Sequence, residues 1–120
     1  MSEAQLQAAI IEMAQLLGKR VAHFRSVRVQ RKDGSVYYET PVQADGKGFP
    51  DLVIVGLDPL IFDIWEVKTE RGRLSMEQLG WKTVFEAIER VLNLAGVGFF
   101  HYRVVRPSDW RSGAIEEWLR

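Results

Sequence analysis

A mixed α/β domain, one sheet flanked by helices, is the fold class that the apolar patterning of this chain predicts. Three observations lead to it. Ser2 to Leu17 carries apolar residues at helical spacing, and Leu52 to Val55 with Leu60 to Val67 reads as two strands of a hairpin turning around Gly56, Asp58 and Pro59. A second amphipathic stretch, Met76 to about Leu94, precedes an aromatic-rich strand from Val97 to Val105. The 120 residues predict a single domain over 1–120, large enough for a core and too short for a separate recognition domain.

In chain order, the first helix is expected to turn Leu6, Ala9, Ile10, Met13, Leu16 and Leu17 inward, with Ser2 as N-cap, Gly18 as its stop and Glu12 in solvent. Lys19 to Lys32 holds six Lys or Arg and His23 but no acid; Val21, Phe24, Val27 and Val29 suggest one or two strands. Asp33-Gly34 predicts a hairpin turn into Val36 to Thr40. Arg25, Arg28, Arg31 and Lys32 form either a ridge against phosphates or a solvated strand face. Ala44 to Gly48 is a glycine-containing loop ahead of Asp51. In the second helix Ser75 is the expected N-cap, Leu79, Val84, Ala87, Ile88, Val91, Leu92 and Ala95 the expected inward face, and Gly96 the end. Trp81 and Phe85 are either core or an exposed dimer patch. Pro107 stops the last strand, and a short helix over Ala114 to Leu119 closes over the sheet.

Composition limits the chemistry. There is no cysteine, which excludes a disulfide scaffold and thiolate metal sites and leaves carboxylates as metal ligands. No apolar run approaches a membrane span, and Met1 to Gln5 lacks a basic segment before an apolar one, so a cytoplasmic protein is expected. Net charge is zero, with 16 basic and 16 acidic residues, so any nucleic-acid contact depends on where the charges lie.

The chemistry is concentrated in Gly48-Phe49-Pro50-Asp51 and Glu66-Val67-Lys68. An antiparallel hairpin brings Asp51, at the start of one strand, beside Glu66, at the end of the next; Glu66 and Lys68, two apart, share a face. Two carboxylates can hold Mg²⁺ or Mn²⁺ through oxygen, and such an ion polarises a phosphoryl oxygen and acidifies water. Lys68 either accepts a proton as a base or stays charged and orients water or phosphate. Alternation puts Phe62, Ile64, Glu66 and Lys68 on one face, so two charges end an apolar row, which costs free energy unless a ligand compensates. Arg71 and Arg73 follow in a polar loop where they can meet phosphate. Gln78 stands three residues after Ser75, the spacing of a capping box, and so has a structural role open to it. A lone histidine such as His101 is read as structural.

Gly48-Phe49-Pro50-Asp51, the run Trp65-Glu66-Val67-Lys68-Thr69-Glu70-Arg71-Gly72-Arg73-Leu74-Ser75 with Glu77-Gln78, and Val105-Arg106-Pro107-Ser108-Asp109-Trp110 together resemble the VRR-NUC branch of the PD-(D/E)xK nuclease superfamily, over most of the chain. The resemblance implies a restriction-endonuclease-like mixed sheet flanked by helices and Mg²⁺- or Mn²⁺-dependent hydrolysis of DNA. It implies Asp51 and Glu66 as metal-binding acids, the Val67 carbonyl as a further ligand, Lys68 as the catalytic lysine and Gln78 as the helix glutamine beside it. Superfamily members often draw an acid from the first helix toward the metal, which makes Glu3 a candidate ligand; a helix-start acid favoured by the macrodipole is the other reading. Some small members act as homodimers on four-way junctions, and symmetric cutting with one site per chain requires two copies. The expectation is a homodimeric endonuclease on branched DNA; the alternatives are a flap or nicking nuclease, a nuclease acting on RNA or free ends, and a non-catalytic DNA-binding module.

Overall fold

Ser2 starts the first helix in the computed structural model, which describes residues 1–24, 27–39 and 42–120. Its hydroxyl accepts from the Gln5 N–H at 3.1 Å, and the Gln5 side-chain oxygen accepts from the Ser2 N–H at 2.9 Å. Helix α1 then runs Glu3–Leu16, and Gly18, at φ +79°, turns the chain out of it. The remaining elements are β1 (Arg20–His23), β2 (Val27–Gln30), β3 (Val36–Glu39), β4 (Leu52–Leu57), β5 (Leu60–Val67), α2 (Met76–Leu94), β6 (Phe100–Val105), α3 (Pro107–Arg111) and α4 (Ala114–Leu119).

The main sheet has the order β1-β4-β5-β6. β1 and β5 lie antiparallel to β4, while β6 lies parallel to β5, so the sheet is mixed as expected. Parallel neighbours cannot be joined by a tight turn, and α2 makes the crossover. β2 and β3 form a separate two-stranded ribbon.

Period-two alternation sends the strand side chains to two different cores. On one face Leu52, Ile54, Trp65, Val67 and Val105 meet Leu6, Ile10 and Ala14 of α1 and Ile115 and Leu119 of α4, all fully buried. On the other, Ile64, Phe100 and Tyr102 are the buried apolar residues among those described, with Val53, Phe85, Leu92 and Val104 packed around them.

Two expectations about packing need correction. In α1 the buried row is Leu6, Ile10 and Ala14, a strict four-residue step, which rotates Leu16 into solvent. Helix α2 buries no residue: Trp81, Phe85 and Leu92 face the sheet, whereas Leu79, Val84, Ile88 and Val91, expected inside, are exposed. Its apolar arc is wider than the narrow sheet face can cover, so the helix shows the sheet one edge of that arc and leaves the rest outside. Trp81 and Phe85 accordingly belong to an aromatic cluster, not to an exposed patch. Lys19, the first residue of the basic segment, is only 7% exposed, its stem lying over Gly56, where an added Cβ would stand 2.7 Å from the Lys19 Cδ. No helix is long and apolar enough to cross a membrane among the described residues.

Candidate active site

The hairpin register assembles the acids. β4 and β5 pair Leu52 with Trp65 and Val53 with Ile64. Continuing that register by one residue sets Asp51 opposite Glu66, where cross-strand side chains come within direct contact. An Asp51 carboxylate oxygen accepts from the Val67 N–H at 2.8 Å, which fixes the aspartate on the end of β5.

Burial pushes both carboxyls above their ordinary range. For Asp51 burial is the main cause, opposed by the Val67 N–H, by a hydrogen bond with Glu66, and by the charges of Lys68 and His23. Glu66, 2% exposed, is pushed up to about 9 by burial first, then by the Asp51 charge and the hydrogen bond between the two carboxyls, with Glu3 adding a smaller push and Lys68 a pull downward. Two acids forced together out of water retain one proton between them until a cation compensates. Lys68 is half-buried, near enough for its charge to act on both, yet forms no salt bridge among the described residues.

Gln78 resolves an alternative left open by spacing, because it does both things. Its N–H donates to the Ser75 hydroxyl at 3.1 Å and its side-chain oxygen accepts from the Ser75 N–H at 2.8 Å, completing the capping box. The remaining amide nitrogen donates to Glu66 Oε1 at 3.1 Å. The cap therefore locks the side chain that holds the glutamate.

Gly48 explains the loop that presents Asp51. At φ +80° it lies so close to α2 that an added Cβ would stand 2.6 Å from the Glu77 Cβ and 2.8 Å from the Gln78 backbone nitrogen. The neighbouring Phe49 ring packs edge-on against Phe24, Trp81 and Phe85, and the Trp81 indole N–H donates to the Lys47 carbonyl at 3.2 Å. The loop is thus pinned to the first turns of α2, which sets the distance between Asp51 and Gln78.

The polar loop after Lys68 is held by Arg106, whose guanidinium donates to the carbonyls of Thr69 and Gly72, each at 2.8 Å, and of Glu70 at 3.3 Å. The Glu70 carboxylate accepts from the Ser108 N–H at 2.9 Å. Arg71 and Arg73 project into solvent on this loop. Arg28, Arg31 and Lys32 are exposed on the β2–β3 ribbon, but not as one ridge: Arg28 pairs across the ribbon with Tyr38, whereas Arg31 lies 4.1 Å over the ring of Tyr37. Successive tyrosines point to opposite faces of a strand, which divides the two arginines. Arg25 lies outside the described residues.

Glu3, Gln7, His23, Tyr38 and Asp51 line a single cleft of about 540 Å³. The structure brings Glu3 to the rim of the acid pair. Gln7, His23 and Tyr38 join the cleft with no motif in the sequence to mark them; the His23 Nε2 stands 3.1 Å from Gln7 Oε1. Their one signal is position, since His23 pairs with Leu52 and so ends β1 beside Asp51. His101 meets Glu89 at 3.3 Å away from the acids, in keeping with a structural role.

Among the described residues no three His, Asp or Glu side chains stand gathered as a ready-made metal cage. The donor set at hand is the acid pair, with Glu3 bordering it, and an all-oxygen set of closely opposed carboxyls at a cleft suits a hard divalent cation. No protein-family model, curated protein or solved structure matches the chain.

Proposed function

We propose that this chain is a metal-dependent DNA endonuclease of VRR-NUC type, with a restriction-endonuclease-like fold, acting as a homodimer on branched DNA and foremost on four-way junctions. The observation that carries the reading is the opposed pair Asp51 and Glu66, buried and pushed toward neutrality, with Lys68 on the same strand end and Gln78 holding Glu66 from α2. Two opposed acids placed this way are unfavourable for folding beyond what Lys68 offsets unless a ligand compensates them, which argues against a non-catalytic module.

Asp51 and Glu66, with the Val67 carbonyl and Glu3 as further donors, would hold Mg²⁺ or Mn²⁺. When bound, the ion supplies charge for the phosphoryl group and acidifies a water. Asp51 is kept in line by the Val67 N–H, and Gln78 fixes which Glu66 oxygen remains free. Lys68, with no competing ion pair among the described residues, directs its ammonium to the attacking water or to the scissile phosphate. Arg71 and Arg73 flank the exit of the strand and bind neighbouring phosphates.

The homodimer draws support from α2. Gly80, Val84, Ala87, Val91 and Leu94 recur at steps of four, three, four and three residues, the seam of a helix that pairs with another helix. Val84, Val91 and Leu94 are 50, 63 and 85% exposed, and the small Gly80 and Ala87 permit close approach by the same stripe of a second copy.

The test is cleavage of matched four-way, flap, linear duplex and single-stranded DNA in Mg²⁺, Mn²⁺ or EDTA, with Asp51→Asn and Lys68→Ala alongside. Paired, metal-dependent cuts in the four-way junction, reduced about a thousandfold or more in both variants, are expected. Cleavage of flaps alone would move the reading to a flap nuclease. DNA bound but left intact in either metal would turn it to a binding module.

A further inference from the structure

We propose that Tyr38 is a stacking platform for an unpaired nucleobase beside the scissile phosphodiester, so that the site selects DNA whose bases are already unstacked where it is cut. The inference deepens the nuclease reading and rests on it.

Tyr37 and Tyr38 are adjacent but differently placed. Arg31 covers the Tyr37 ring at 4.1 Å, while Tyr38 is 68% exposed. Tyr38 pairs directly with Arg28, so an open aromatic face and a guanidinium stand side by side on one face of the ribbon. The same ring borders the cleft that contains Asp51 and Glu3, a space of about 540 Å³. An open ring, a neighbouring cation and a hydrolytic centre within one cleft match the combination by which proteins hold single strands: bases stack on an aromatic face while cations track the phosphates.

The ribbon itself points the same way. A two-stranded ribbon is marginally stable in water, and among the described residues its many backbone contacts are between its own strands. A bound strand stacked on Tyr38 and paired in charge with Arg28 supplies the surface it lacks. A base within duplex DNA is already stacked and must be extruded before it can reach the ring, whereas a base at a branch point or in a flap is free to do so.

The test uses branched DNA carrying 2-aminopurine at an unpaired position, titrated with the whole protein in EDTA so that no strand is cut. Wild type and Tyr38→Phe should quench the fluorescence. Tyr38→Ala should leave it unquenched and bind about tenfold or more weakly, and none of the three should quench the same base paired in a linear duplex. Arg28→Ala should weaken binding while leaving the quench at saturation, and circular dichroism checks that each variant is folded. Equal quenching by wild type and Tyr38→Ala, or equal loss in Tyr38→Phe and Tyr38→Ala, would overturn the stacking role. If wild type cuts DNA without any quench, the platform falls and the nuclease reading stands. If the quench follows Tyr38 but no DNA is cut in Mg²⁺ or Mn²⁺, the nuclease reading falls and base binding remains.

Discussion

The two faces of the sheet are built to different standards. Toward α1 and α4, ten residues are fully buried and Trp65 is closed in by Trp118 at 6.0 Å between ring centroids. Toward α2, three apolar residues are buried, the crossover helix hides none of its own, and its attachment runs through Phe85 and Leu92, the Glu89 bonds to β6, the Phe49 cluster, Gly48 and the Gln78 bonds. One face supplies stability. The other holds the acids, and the contacts that set the acid geometry are among those that keep α2 in place. Loosening the second face should therefore cost activity before it costs the fold.

The sharpest way to break this contrast is truncation on each side. Trp65→Ala, on the well-packed face, should lower stability by about 3–5 kcal/mol. Val91→Ala, on the outer stripe of α2, should change the folded protomer by no more than about 0.5 kcal/mol. Equal losses in chemical denaturation would refute the division. Val91→Glu adds a second reading: light scattering should report a protomer where wild type gives twice that mass, and an unchanged mass would remove α2 as the contact between copies.

Gly48→Ala comes next. The added methyl must displace α2 or the Asp51 loop, at a cost of about 1–3 kcal/mol, and cleavage should fall more steeply than the unfolding midpoint. A stable variant with full activity would mean that the loop–helix approach does not set the site.

The smallest effect concerns pH. Glu66 is raised, so the folded chain keeps a proton over a range where the unfolded chain has lost it. Its contribution is complete below the ordinary glutamate value and is lost as pH rises toward about 9. Glu66→Gln, which preserves the bond to Gln78, should unfold at a midpoint less dependent on pH, with an advantage over wild type of about 1–2 kcal/mol, or roughly 4–10 °C, on the alkaline side. Mn²⁺ should restore wild type there and leave Glu66→Gln unchanged. Parallel pH curves for the two proteins would show that the glutamate is ionised at no cost.

Local signals were readable and tertiary ones were not. The span of α2 follows from Ser75, Gln78 and Gly96, and the meeting of Asp51 with Glu66 follows from hairpin spacing. Both depend on residues near in sequence. Which edge of α2 faces the sheet depends on how wide that sheet is, and neither Leu79 nor Val84 carries that information. Gly48 looked like a loop glycine because Glu77, the atom group it makes room for, lies far along the chain. Spacing alone leaves Gln78 a choice between cap and site, because it does not show that an amide can serve both with its two ends. Tyr38 was invisible as a cleft residue since the ribbon's placement is not encoded in its own alternation.

Strand order carries a consequence for synthesis on the ribosome. Asp51, Glu66 and Lys68 emerge early, but the Lys68 N–H donates to the Val105 carbonyl at 3.0 Å, and the loop after it is gripped by Arg106. Until residues 100–106 leave the exit tunnel, β5 has one of its two neighbours and the loop has no clamp. The nascent chain thus carries the acids and the lysine before it has the strand and the clamp that hold them in place, a built-in delay between translating the site and assembling it.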